Sequence, residues 1–207
     1  GLLERLEDLA ARRTLNDFTI GPVLTVTNQT MEDHLERLLA VPGASLLWGG
    51  TRLQSARAAD IPPCYGSFQP TAVKLPLQAL ADPTVFAVAT REIFGPFQII
   101  VDYKDSELDD VLGVFEGLDA HLTAAVVSND VGFQRKVLAN SVNGTTYCGI
   151  RGRTTGAPQN HWFGPAGDPR AAGIGTPEAI KTVWSCHREI IFDEDAPPTG
   201  WTIPKAT

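Results

Sequence analysis

Cysteine is scarce, positive charge is in deficit, and no long apolar run occurs. The 207 residues contain three cysteines, Cys64, Cys148 and Cys186. They are widely spaced and form no C-x-x-C pair, which argues against a zinc site. Three cysteines in a chain of this length are also too few for a disulfide framework, so a reducing compartment is expected. Lys and Arg total 17 against 24 Asp and Glu, a formal net charge of −7. That balance opposes nucleic-acid binding, which needs a basic face against phosphates. Arg151-Gly152-Arg153 is the one local basic cluster of note. No apolar stretch is long enough to span a bilayer, so no membrane partner is expected. The first residue is Gly1, with no signal or transit segment ahead of the first helical pattern. Such a start is expected of a cut inside a longer protein, of a processed product or of an incomplete sequence.

What remains is an ordinary globular composition, 43% hydrophobic and 20% charged. Leu2, Leu3, Leu6, Leu9 and Ala10 repeat at helical spacing. Thr30 is a candidate N-cap for a second helix with Met31, Leu35, Leu38 and Leu39 on one face, stopped by Pro42-Gly43. Ser45 to Trp48 and Thr71 to Leu75 read as short strands, with irregular chain between them. Phe97 to Asp102, Leu122 to Val127 and Ser141 to Tyr147 read as buried strands. Between them lie helices capped by Ser106 and by Asn129 or Asp130. This alternation predicts an α/β class with a mostly parallel sheet flanked by helices. Cys148, at the end of the third strand, reads as a core residue.

Two segments carry candidate chemistry. In Glu92-Ile93-Phe94-Gly95-Pro96 a carboxylate stands beside an aromatic ring. The carboxylate can accept two hydroxyl hydrogen bonds from a ribose while the ring presses on a flat cofactor. The same residues also make sense as a plain turn ahead of the strand at Phe97. The long Gly- and Pro-rich stretch 149–177 follows a strand's carboxyl end, where open α/β sheets place ligands. It contains Thr154-Thr155-Gly156-Ala157-Pro158 and Asn160-His161-Trp162-Phe163-Gly164-Pro165. Small residues there let backbone N–H groups approach an anion, and the aromatics can wall an apolar pocket. An irregular surface loop with buried anchors is the alternative. Gly173-Ile174-Gly175-Thr176-Pro177-Glu178 lacks a third glycine and reads as a helix start, with Thr176 as N-cap. Cys186 and His187 are adjacent on a strand pattern and point to opposite faces, which disfavours a catalytic pair.

Taken together, Gly21-Pro22, Pro70-Thr71, Glu92 to Pro96, Leu122-Thr123-Ala124, Ser128-Asn129-Asp130 and Phe163-Gly164-Pro165 resemble the catalytic domain of the aldehyde dehydrogenase superfamily. The stretches Asn143 to Pro165 and Thr182 to Glu189 resemble its plant-type pyrroline-5-carboxylate dehydrogenase branch. Trp162-Phe163-Gly164-Pro165 stands where most of the superfamily carries P-F-G-G. The resemblance implies oxidation of L-glutamate γ-semialdehyde to glutamate with NAD, in the mitochondrial matrix. It implies that Glu92 binds the nicotinamide ribose and that Phe94 packs near the nicotinamide. Gly156 and Ala157 would offer backbone N–H groups to the substrate's α-carboxylate, Phe163 would wall its aliphatic part, and Thr155 would add a hydroxyl. It further implies a partial catalytic domain over 1–181, then an oligomerisation strand and tail over 182–207. Residues 182–192 would pair with a second copy in a homo-oligomer. None of the three cysteines stands in the family nucleophile's G-Q-x-C context. Nucleophile and general base are therefore expected upstream, and the 207 residues alone are expected to be inactive. The alternatives are another NAD(P)-dependent aldehyde dehydrogenase, or a non-catalytic assembly module.

Overall fold

The structure is a computed structural model that describes residues 1–119, 121 and 123–150, and singly 152, 181, 189, 190, 192, 199, 200 and 202. The chain divides into two compact units. One holds Gly1–Asp119 with Ala139–Ser141, and the other Ala120–Leu138 with Val142–Thr207.

The first unit opens with helix α1, Leu2–Ala11, whose N-terminal ammonium pairs with the Glu4 carboxylate. None of its residues is fully buried. Helix α2, Asn28–Leu39, is capped by Thr27 rather than by the expected Thr30. The Thr27 hydroxyl accepts the Thr30 N–H at 3.1 Å, so the helix starts one turn earlier. Its buried face is Met31, His34, Leu35 and Leu38, a helical i, i+3, i+4, i+7 stripe. Leu39, expected on that stripe, is exposed, and His34 takes the buried place.

Strand β1, Ser45–Trp48, runs antiparallel to β2, Thr71–Lys74, and β2 runs parallel to β3, Phe97–Ile100. The register aligns Thr71 with Phe97 and Lys74 with Ile100. After β1 the chain turns at Gly49 and Gly50, both at positive φ. A Cβ at Gly49 would lie 2.2 Å from the Pro70 carbonyl oxygen, so only glycine lets the turn close on β2. Ala72, Val73 and Leu75 are fully buried, and Val73 and Leu75 form one core with Met31, Leu38, Phe68, Leu77, Leu80 and Ile93. The Phe97 ring stacks on Phe68 at 5.7 Å between centroids and meets His34 edge-on at 5.4 Å. β3 is half-buried rather than the fully buried strand its apolar run suggests. Among the described residues it pairs on one side only, with β2.

Helix α3, Pro83–Ala89, has no counterpart among the expected elements. The Asp82 carboxylate accepts the Thr84 and Val85 N–H groups at 2.7 and 3.2 Å, and Pro83 fills the first helical position. Helix α4, Leu108–Glu116, is entered through a 3₁₀ turn at Asp105–Glu107. The Glu107 carboxylate accepts the Lys104 N–H at 2.7 Å and closes that turn, and the N-cap position of α4 falls on Glu107, without a side-chain capping bond, rather than on the expected Ser106.

In the second unit β4, Thr123–Val126, and β5, Thr145–Cys148, form a parallel ladder. The crossover helix is α5, Val131–Ala139, whose Phe133 N–H is accepted by Asp130 at 2.8 Å. This is the parallel strand–helix–strand pairing expected of that stretch. Within β4 only Val126 is buried. Cys148 is exposed, not a core residue. It is the last residue of a strand that pairs with β4 alone among the described residues. Among the described residues no helix is long and apolar enough to cross a membrane, and no His, Cys, Asp and Glu cluster has metal-binding geometry.

Candidate functional site

The segment Glu92 to Pro96 links α3 to β3, ahead of the strand's first residue. Its side chains divide cleanly. Ile93 is 7% exposed and belongs to the core, whereas Glu92 is exposed and Phe94 is 63% exposed. Ile93 anchors the segment in the core, and the chain bends over Phe94 to Pro96, with Glu92 and Phe94 facing outward on either side of that anchor. The sequence reading offered a cofactor contact or a turn before a strand, and the geometry is compatible with both.

The backbone of this turn is held at successive carbonyls. The Thr25 hydroxyl donates to the Phe94 carbonyl at 2.7 Å. The Phe97 N–H donates to the Gly95 carbonyl, and the Thr71 N–H to the Pro96 carbonyl, both at 2.8 Å. Beneath it lies Met31, fully buried, with its sulfur 3.0 Å from where a Gly95 Cβ would stand. The outcome is a fixed main chain carrying an outward ring and an outward carboxylate. Glu92 makes no hydrogen bond or ion pair among the described residues. Among these residues nothing competes with hydroxyl donors for its carboxylate oxygens. Of the residues that build the turn, Thr25 and Met31 were not legible as such. Thr25 stands three residues beyond Gly21-Pro22, but its partner is 69 residues away, and a single chain gives no sign of that pairing.

Among the described residues His34 is the one buried imidazole, 5% exposed. Burial holds its pKa below the usual value, with Arg91 and Arg37 adding positive charge against protonation. It is a neutral core group and not poised for acid–base work. An apolar cavity of about 350 Å³ lies among Leu77, Leu80, Ile99, Val101, Val111 and Val114. Among the described residues its lining includes neither Glu92 nor Phe94 and no charged side chain, and Thr90 and Tyr103 are its hydroxyl-bearing residues. With no charged lining it offers no chemistry, and the turn is the better candidate.

The second candidate segment begins at the carboxyl end of the β4–β5 ladder. Gly149 donates its N–H to the Val126 carbonyl at 3.0 Å, and Gly152 donates to the Gly149 carbonyl at 2.8 Å. A Cβ on Gly152 would meet the carbonyl oxygens of Gly149, Val126 and Tyr147 at 3.0 to 3.3 Å. The position of Gly152 after β5 is therefore fitted to glycine. Thr155, Gly156, Ala157 and Phe163 lie outside the described residues, as do the Thr176 cap, Cys186 and most of 182–192. Of the expected site residues, Glu92 and Phe94 are brought together on one turn.

No protein-family model matches the chain. Two curated plant sequences match it over its whole length at 58% identity: the mitochondrial delta-1-pyrroline-5-carboxylate dehydrogenase 12A1 of Arabidopsis thaliana and a probable aldehyde dehydrogenase of Linum usitatissimum. The chain spans 37% of the length of each. Among solved structures, the betaine aldehyde dehydrogenase of Staphylococcus aureus, in complex with NAD+, superposes with a TM-score of 0.55 at 19% identity. That match covers 77% of this chain and 31% of the bacterial one.

Proposed function

From a chain that has the α/β fold of the aldehyde dehydrogenases and resembles their plant pyrroline-5-carboxylate branch from end to end, we propose that the whole protein oxidises L-glutamate γ-semialdehyde to glutamate with NAD. The 58% identity maintained across all 207 residues carries this reading. The likeness covers the distinctive stretch from Arg151 to Pro165 as well as the general motifs.

Each assigned role follows from chemistry. Converting an aldehyde to an acid removes a hydride and adds an oxygen from water, and NAD supplies the hydride acceptor when bound. Glu92 fits the ribose of that cofactor because its carboxylate is exposed, without a partner among the described residues, and acceptor-only when ionised. Phe94 fits the nicotinamide because its ring projects from a backbone tied down on both sides. Gly156 and Ala157 offer N–H donors to the α-carboxylate, Thr155 adds a hydroxyl, and Phe163 packs on the aliphatic carbons. The covalent step belongs to a cysteine thiolate outside these 207 residues. Cys64, Cys148 and Cys186 do not serve, and the 207 residues alone do not turn over. Residues 1–181 act as part of the catalytic domain, and 182–192 pair with a second copy in a homo-oligomer. The matrix of the mitochondrion is the proposed location.

The test uses full-length protein. Glu92→Gln keeps the shape of the side chain and removes its charge. It should weaken NAD binding while leaving the melting temperature unchanged. Unchanged cofactor affinity in Glu92→Gln and in Phe94→Ala would remove the site assignment.

A further inference from the structure

We propose that Thr25 is a positioning residue for the cofactor, acting through its hydrogen bond to the Phe94 carbonyl. The inference rests on the reading of Glu92 and Phe94 as the ribose and nicotinamide contacts, respectively.

Thr25 is itself held at two nearby points. Two residues before it, Val23 and Gly66 exchange both backbone hydrogen bonds at 2.8 Å. Two residues after it, Thr27 caps α2. Between these fixed points the main chain has little freedom, and the Thr25 hydroxyl reaches Phe94 at 2.7 Å. Met31 backs both sides of this contact. A Cβ at Gly66 would stand 2.5 Å from its methyl carbon, and one at Gly95 would stand 3.0 Å from its sulfur. The segment that carries Thr25 and the turn that carries Phe94 are thus packed against one buried side chain. Thr25 supplies the side-chain hydrogen bond to the turn's carbonyls, since those at Gly95 and Pro96 are met by backbone N–H groups.

Removing that hydroxyl changes little in the folded protein's stability, because Thr25 is exposed and water replaces it at the Phe94 carbonyl. What changes is the definition of the Phe94 backbone, and with it the pose of the ring beside Glu92. A side chain preorganised for a ligand loses less freedom on binding, so loosening it lowers affinity. Having to order one loosened side chain on binding corresponds to about a three- to tenfold weaker affinity.

The experiment titrates NADH fluorescence on full-length wild type, Thr25→Val, Thr25→Ser, Glu92→Gln and Phe94→Ala. A melting curve is recorded for each. Thr25→Val keeps the branched shape and loses the donor. It is expected to weaken NADH binding about three- to tenfold with an unchanged melting temperature. Thr25→Ser keeps the donor and restores wild-type affinity. If Glu92→Gln and Phe94→Ala weaken binding while Thr25→Val does not, the positioning role is wrong and the site assignment stands. If Thr25→Ser binds as weakly as Thr25→Val, the methyl group and not the hydrogen bond is responsible, which also overturns the inference. If neither Glu92→Gln nor Phe94→Ala alters binding, the underlying site assignment has failed.

Discussion

Gly95→Ala tests whether the candidate turn is held rigid by packing beneath it. The added methyl would stand 3.0 Å from Met31 Sδ and 3.3 Å from Ile93 Cγ2. Ordinary carbon contacts are near 3.5 to 4.0 Å. Both neighbours are core residues, and Met31 cannot retreat freely because its methyl end already abuts Gly66. Overpacking of this kind costs about 1–3 kcal/mol. Replacing glycine by alanine returns about 0.4–1 kcal/mol by restricting the unfolded chain. The balance is a loss on the order of 1 kcal/mol. Met31→Ala alone costs about 2–5 kcal/mol, because the side chain is fully buried. In the Met31→Ala background the Gly95 methyl has room, so Gly95→Ala becomes neutral or stabilising. The double-mutant cycle should then show coupling of about 1 kcal/mol or more. Urea midpoints followed by tryptophan fluorescence measure all four proteins. Additivity within error, or a stabilised Gly95→Ala single variant, would refute the packing argument.

Other consequences can be checked in the same way. Thr27→Ala should destabilise by about 1 kcal/mol through loss of the α2 cap, with Thr27→Ser recovering most of it. Thr30→Ala, at the position expected from sequence to be the cap, should cost less. Ser67 Oγ is buried with no hydrogen-bond partner among the described residues, so Ser67→Ala should raise the urea midpoint, by about 1 kcal/mol in stability. His34 is held neutral by burial first, then by Arg91 and Arg37. Its folded pKa lies below the unfolded value, so below pH about 6.5 the unfolded chain binds the proton first. Stability is then lost as pH falls from that value toward the folded pKa, at up to about 1.4 kcal/mol per pH unit. His34→Leu should flatten that slope, which pH-resolved urea titrations would measure.

Local pattern was readable where one chain segment decides its own conformation. The spacing of Met31, Leu35 and Leu38 announced α2. Of the two cap candidates Asn129 and Asp130, Asp130 is the one at the start of α5. The parallel β4–β5 ladder followed from strand–helix–strand order. What was misread depended on competition between neighbours or on distant partners. Thr27 and Thr30 are equally good caps on paper, and the Thr27 hydroxyl captures the Thr30 N–H. Helix α3 was hidden by β-branched Thr84, Val85 and Val88 and by a proline that resembles a breaker, although Asp82-Pro83 is itself a helix-start signature. Cys148 looked like core from its strand, yet burial depends on what covers a strand's end. At the candidate site, Glu92 and Phe94 were visible as residue types beside a Gly-Pro turn. Their outward direction follows from the burial of Ile93, and their fixation from Thr25 and Met31, neither of which lies near them in sequence.

NAD reduction by the full-length protein, compared between L-glutamate γ-semialdehyde and simple alkyl aldehydes of similar length, tests the central claim most directly. The account predicts turnover that depends on the amino-acid head group and falls on a bulky replacement of Gly156. Equal or better turnover of the simple alkyl aldehydes would contradict it.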